Sequence, residues 1–144
     1  MALILKQSTA VDVLIGPFVD ETDGKTAETG LTISQADVRL SKNAQNMAQM
    51  NDSTSAAHDE LGYYNCELDA TDTDTIGTLV LAVHESGALP VRHEFQVIEE
   101  GIYETLYAAS ADLETKIDAI DTVVDAILVD TGTTLDTKIN NIQG

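Results

Sequence analysis

A carboxylate-rich turn contains the residues whose types and spacing come closest to a binding site. Asp69, Asp72 and Asp74 follow one another closely along the chain, and Ca²⁺ prefers several oxygen ligands of this kind. The turn has no glycine at its bend and no glutamate at the far end of a roughly twelve-residue frame, so it is not an EF-hand. Aspartate side chains in turns also accept hydrogen bonds from their own backbone. We therefore predict a structural turn and no metal site.

The histidines and the single cysteine do not form a metal-ligand pattern. His58, His84 and His93 are scattered, and Cys66 is the only thiol, whereas zinc sites use closely spaced pairs of ligands. His93 shares one strand face with apolar residues, so we expect it to be partly buried and hydrogen-bonded. We expect Cys66 on an inward face, where a thiol is inert. As the only cysteine it forms no intrachain disulfide.

The sequence contains no arrangement that is typical of an enzyme. It has neither a Gly-x-Ser-x-Gly nucleophile motif nor a phosphate-binding glycine loop. Tyr63 and Tyr64 could present an aromatic patch to sugars, but more often one tyrosine packs in the core and the other stays half-exposed. We therefore predict a protein that is not an enzyme, with no catalytic residue and no cofactor.

The last third of the chain carries a repeat that predicts a long helix. The segment beginning at Leu113 returns at Leu135, and every matched position is offset by 22 residues, twice the eleven-residue repeat of a nearly straight helical stripe. A helix over 111–142 would be about 48 Å long at 1.5 Å per residue, longer than a small domain is wide, so most of it should project. The predicted seam, which is the oligomer interface, consists of Leu113, Ile117, Ile120, Val124, Ile127, Thr131, Leu135, Ile139 and Ile142.

The spacing of this seam is that of a coiled coil. Its members recur at intervals of four and three up to Ile127, and an additional interval of four after Thr131 marks a stutter. Gly132 is a poor helix former, so the helix either breaks there or continues. We predict that it continues, because Leu135 returns to the same stripe and packing supplies most helical stability. Isoleucine at both kinds of seam position disfavours two strands, so we predict a parallel homotrimer, with a dimer or a helix packed on its own domain as alternatives.

The first hundred residues alternate with the period of two that is typical of strands. We predict about seven short strands without intervening helices, which favours an immunoglobulin-like antiparallel β-sandwich. Segment 44–58 has no clear period, and we expect a long hairpin or loop there. The alternating runs cover 3–7, 11–15, 30–33, 37–41, 63–68, 79–84 and 91–97.

Charge and hydropathy exclude several partners. The formal net charge is −18, with 25 acidic residues against 7 Lys and Arg, which opposes binding to nucleic-acid phosphates. No apolar run reaches the roughly 18 residues that membrane insertion requires. The first residues lack the features of a secretory signal peptide, so we expect synthesis and folding in a cytoplasm.

The first hundred residues resemble the N-terminal β-sandwich of bacteriophage tail-fibre and baseplate proteins. The resemblance rests on the run AVDVLIGPFVD at 10–20 and the block GYYNCELDATDTDTIGTLVLAV at 62–83, together with the fibre-like helix. It is a resemblance of pattern and order over roughly residues 2–98. It implies a sandwich that docks to the particle and precedes a trimeric stalk. Such fibres usually carry a distal head, and whether one belongs beyond the stalk here is left open.

These features together predict a bacteriophage virion structural protein, assembled in the host bacterial cytoplasm. The predicted organisation is a docking sandwich over 1–100, a linker or short helical turn over 101–110 and a coiled-coil stalk over 111–144. As a tail-fibre or baseplate component it would contact other virion structural proteins, and a capsid decoration or head-fibre protein would use the same parts. The alternative from another class is a carbohydrate-binding module that attaches to host surface glycans.

Overall fold

The chain consists of two units, one rich in β-strands and one helical. The structure, a computed structural model, describes residues 3–107 and 113–144, with side chains described from residue 115 onward in the second range. The units are Met1–Glu100 and Gly101–Gly144. This confirms the coarse fold class that the sequence predicts, which is mainly β with a long C-terminal helix.

Eight short strands in the described residues form two sheets. They are β1 (Leu3–Lys6), β2 (Val11–Ile15), β3 (Val38–Lys42), β4 (Ala48–Gln49), β5 (Ala57–His58), β6 (Tyr64–Leu68), β7 (Gly77–Val83) and β8 (Val91–Ile98). The five-stranded sheet has the order β1-β8-β7-β3-β4, and the three-stranded sheet has the order β2-β6-β5. A 3-10 turn, Gln35–Asp37, precedes β3.

One strand pair departs from the antiparallel arrangement that the sequence predicts. β1 runs parallel to β8, with Leu3 opposite Phe95 and Lys6 opposite Ile98, so the five-stranded sheet is mixed. Alternation shows which side chains face the core, but the same alternation suits either strand direction. A parallel pair also needs a long connection, and here the rest of the β unit provides it.

The middle of the β unit also differs from the predicted strands. Residues 30–33 are not a strand, and only an isolated bridge joins Ile33 to Ala56. The N–H of Leu31 instead donates to the hydroxyl of Tyr64 over 2.9 Å. This backbone group is therefore hydrogen-bonded although it does not pair with a neighbouring strand. Segment 44–58 contributes the two-residue strands β4 and β5.

The inward side chains of both sheets belong to one hydrophobic core. In β6, alternate residues are buried, and Cys66 is among them. Phe18, from the loop after β2, meets Tyr64 edge-on with ring centroids 5.4 Å apart. Fully burying a large apolar side chain contributes about 1.5–3 kcal/mol, so this core gives the β unit its own source of stability.

The second unit consists mainly of helix in the residues that the structure describes. Two α-helices are present in those residues, α1 (Glu100–Tyr107) and α2 (Leu113–Gln143). α2 has 31 residues and passes through Gly132 without a break, which confirms the predicted continuous helix. In the predicted linker, 101–107 are helical, whereas 108–110 lie outside the described residues. No helix in the described residues is both long enough and apolar enough to cross a membrane.

Candidate functional site

The predicted seam forms one apolar face of α2. At about 100° per residue, its members fall within a sector of roughly 120°. Every described side chain of α2, over 115–144, is exposed in the single chain. Exposed fractions of the apolar members range from 49% for Ile139 to 85% for Ile142. Leu113 begins the helix, but its side chain lies outside the described ones. The described seam members are Ile117, Ile120, Val124, Ile127, Thr131, Leu135, Ile139 and Ile142.

Two further apolar residues, which the sequence reasoning missed, belong to this face: Leu128 lies within the sector, and Val123 extends it on one side. Leu128 lies about 40° from Val124 around the helix axis, and Val123 lies about 40° from Ile127 on the other side. Leu128 is 70% exposed and Val123 is 58% exposed. The sequence reasoning followed intervals of four and three, which identify about one residue per helical turn, so it did not include Val123 and Leu128. A comparison of the angles of all apolar residues around the helix axis would have identified them.

An exposed apolar face of this length requires a covering partner. Helices in proteins draw most of their stability from packing an apolar face rather than from intrinsic propensity. α2 contains Gly132 and many threonine and β-branched residues, all of which have lower helix propensity than alanine. Large contiguous apolar patches on soluble proteins typically mark interaction sites. The apolar face of α2 is therefore the strongest candidate for an interface.

The aspartates of the acidic turn are engaged by backbone N–H groups. Asp69 Oδ1 accepts hydrogen bonds from the N–H groups of Thr71 (2.8 Å) and Asp72 (2.9 Å). The Asp72 carboxylate, which is buried, accepts from the N–H groups of Asn51 (2.7 Å), Asp52 (3.0 Å) and Asp69 (3.2 Å). The predicted backbone bonding within the turn is confirmed. The link from Asp72 to the segment after β4 was not predicted.

Asp74 has a different role in the same turn. Its Oδ1 lies 2.6 Å from Nζ of Lys42, which also donates to the carbonyl of Thr71 over 2.6 Å. This hydrogen bond from Lys42 lowers the pKa of Asp74 below its ordinary value. Within residues 3–107 and 113–144, no group of three or more His, Cys, Asp or Glu side chains is arranged to hold a metal ion. The turn thus serves to fasten β3 and the segment after β4 to β6.

His93 and Cys66 occupy the environments that the sequence predicts. Nε2 of His93 accepts the N–H of Gly16 over 2.9 Å, and the ring lies against Phe95 with centroids 6.4 Å apart. Burial lowers the pKa of His93, which favours the neutral ring that can accept this hydrogen bond. Burial also raises the pKa of the Cys66 thiol to about 12, so the folded protein holds it as an unreactive thiol.

The two adjacent tyrosines do not form a paired aromatic platform. Tyr64 is 1% exposed, and its hydroxyl donates to the carbonyl of Glu28 over 3.0 Å while accepting the N–H of Leu31. Tyr63 is half-buried. One ring therefore packs in the core and the other stays near the surface, as predicted, and a sugar could reach at most the second.

Comparison with known proteins returned no matching family model, and no curated protein or solved structure matched at a significant level. The inference of function therefore starts from the exposed apolar face of α2 and from the separate core of the β unit.

Proposed function

We propose that this chain is a trimeric structural component of a bacteriophage virion, in a tail fibre or baseplate. In this proposal the two sheets of 1–100 form an immunoglobulin-like sandwich that docks to the particle. α2 forms a parallel three-stranded coiled coil with two other copies. The observation that carries the proposal is the exposed apolar face along a 31-residue helix, in a chain whose β unit already has its own core.

The composition of the helix face supports a second and third copy as its partners. Ile117, Ile120 and Ile127 occupy both kinds of seam position, a pattern that disfavours the two-stranded form. Val123 and Leu128 add apolar area beside the seam, where a third helix would cover more of it. The recurrence after 22 residues keeps the apolar stripe nearly parallel to the helix axis, so parallel copies can contact one another along the whole helix.

Trimerisation would also make docking effective. Three β units held together act on a ring or vertex at a high effective concentration, so contacts that are weak singly become strong jointly. A capsid decoration or head-fibre protein would use the same geometry on another part of the particle. A glycan-binding module draws less support, because the Tyr64 ring and hydroxyl are both occupied inside the core.

The decisive experiment asks whether the protein belongs to the particle. Virions purified from a lysate that produces this chain should yield its tryptic peptides in amounts comparable with those of other structural proteins. Antibody labelling in electron microscopy should then place the chain on the tail, whereas label on the head would favour a capsid decoration protein. Finding the chain only in the soluble fraction, with none on purified virions, would contradict the proposal.

A further inference from the structure

Both arginines of this acidic chain lie in one row across the outer face of the five-stranded sheet. Arg39 of β3 is paired with Ala82 of β7, and Ala82 is paired in turn with Arg92 of β8. Adjacent strands are about 4.8 Å apart, so the Cα atoms of the two arginines are about 10 Å apart. The small Ala82 side chain lies between them, which leaves a depression flanked by two long cationic side chains.

This depression is part of a groove with an apolar floor. The groove has a volume of about 390 Å³. Met47, from the loop between β3 and β4, is 50% exposed at its edge, and Pro90 lies beside it. Binding sites typically combine an apolar lining with a few placed polar groups. We call this surface the arginine groove, and its lining includes Arg39, Met47, Ala82, His84, Val91 and Arg92.

The guanidinium groups of the groove are available to a further anion. Among the described residues, no carboxylate forms an ion pair with Arg39. The carboxylate of Asp37 also lines the groove and interacts electrostatically with Arg39, but it accepts hydrogen bonds from the backbone N–H and hydroxyl of Ser34, at 2.8 and 2.6 Å. Arg92 is 2.8 Å from Glu94, but both side chains are about half-exposed, and an exposed pair of this kind contributes little and opens readily.

The other cations of the β unit are placed differently. Lys6 pairs with Glu100 at 3.0 Å, and Lys42 pairs with Asp74 at 2.6 Å. Lys25 is exposed in a loop and does not belong to the lining of the arginine groove. Arginine also differs from lysine in chemistry, because its planar guanidinium binds a carboxylate through two parallel hydrogen bonds. The arginine groove is thus a place where guanidinium hydrogen-bond donors and an accessible apolar surface coincide.

We propose that the arginine groove binds an extended acidic segment of another protein. In this segment an apolar residue has one carboxylate residue two positions before it and another two positions after it. Side chains two residues apart on an extended chain point the same way and are about 6.7 Å apart. The apolar side chain would then rest over Ala82 while the carboxylates reach Arg39 and Arg92. The net charge of −18 repels any anion, but a short segment with two carboxylates is repelled far less than a long polyanion such as nucleic acid.

This inference rests on the docking role proposed above and gives that role a contact surface. The test uses the full chain and a fluorescein-labelled peptide, Ser-Asp-Ser-Leu-Ser-Asp-Ser, in an anisotropy titration at low salt. We expect Arg39→Gln and Arg92→Gln each to weaken binding about tenfold, because each removes a hydrogen-bonded charge partner. Ala82→Leu should weaken binding similarly, since it fills the floor while leaving the charge unchanged.

The control Lys25→Gln removes the same charge from an exposed site outside the groove and should change the affinity less than twofold. A peptide with both aspartates replaced by asparagine, and one with leucine replaced by serine, should each bind at least tenfold more weakly. Equal losses for Lys25→Gln and Arg39→Gln, or no binding at millimolar peptide, would overturn the proposal. Tighter binding of a single-stranded oligonucleotide than of the peptide would also overturn it. These outcomes are independent of whether the chain is found on virions, so the two proposals can fail separately.

Discussion

Replacing Asp72 with alanine removes a buried carboxylate that holds three backbone N–H groups. The donors belong to Asn51, Asp52 and Asp69, at 2.7, 3.0 and 3.2 Å. A hydrogen bond to a charged group contributes about 1.5–3 kcal/mol net, and bonds that share one acceptor are not additive. We therefore expect Asp72→Ala to lower the free energy of unfolding of the β unit by about 3–5 kcal/mol. This is a large part of the roughly 5–15 kcal/mol that stabilises a typical domain.

Cys66 provides the assay, because it is the only cysteine and reports on the β unit alone. It is buried and its pKa is raised to about 12, so a thiol reagent reacts only after this unit opens. When reclosing is faster than labelling, the rate follows the open population. The expected loss corresponds to a rate increase of about 10²- to 4 × 10³-fold for Asp72→Ala, since each 1.4 kcal/mol is tenfold.

Two comparison variants make this test specific. Asp72→Asn keeps an oxygen acceptor and should lose less stability than Asp72→Ala. Asp59→Ala removes a carboxylate from an exposed position and should stay within about 0.5 kcal/mol of the wild type. A labelling rate for Asp72→Ala within threefold of the wild-type rate would refute the reasoning, because it would mean that the three hydrogen bonds do not hold the unit together.

His93 should make the stability of the β unit depend on pH, because burial lowers its pKa below the ordinary 6.5. The neutral His93 ring contributes its full stabilisation of the fold above about pH 6.5, and this stabilisation is lost as the pH falls below that value. The urea midpoint of the wild type should therefore be lower at pH 5.5 than at pH 7.5, and this difference should be much smaller in His93→Gln. Gly62→Ala should lower the free energy of unfolding by about 1–3 kcal/mol, measured as a lower urea midpoint, because Gly62 has φ +80° and a Cβ there would clash with the carbonyl oxygen of Phe18. Gly30→Ala, with open space around it, should have little effect, and equal midpoints for the two variants would count against this explanation. A fragment of residues 1–100 should show a cooperative β transition by circular dichroism, because this unit has its own core; an unfolded fragment at moderate temperature would be evidence against that.

Periodicity predicted the features that depend on one segment at a time. The alternation around Cys66 identified both a strand and its buried face, and the 22-residue repeat carried the helix through Gly132. The same local reasoning placed His93 on a partly buried face and gave Asp69 its backbone partners. These are properties of short stretches whose side-chain directions follow directly from the helical or strand period.

Features that join distant segments could not be read from the sequence. The parallel pairing of β1 with β8, the bonds from Asp72 to Asn51 and Asp52, and the alignment of Arg39 with Arg92 all depend on register between strands far apart along the chain. A shift of one residue in register would move these side chains to the opposite face. Arg39 and Arg92 are more than fifty residues apart in the sequence, so only the strand pairing of the folded sheet shows that they are neighbours.

The mass of the full chain in solution tests the central claim most directly. Light scattering or sedimentation equilibrium at micromolar concentration should give three times the 15.4 kDa chain mass. Ile127→Asp should reduce this to one chain, because each trimer loses three buried isoleucines at about 2–5 kcal/mol each and gains three clustered carboxylates. Thr115→Asp adds the same charge on the side of α2 opposite the seam and should remain trimeric. A wild-type mass of one chain, or an Ile127→Asp variant that stays trimeric, would contradict the proposed coiled coil.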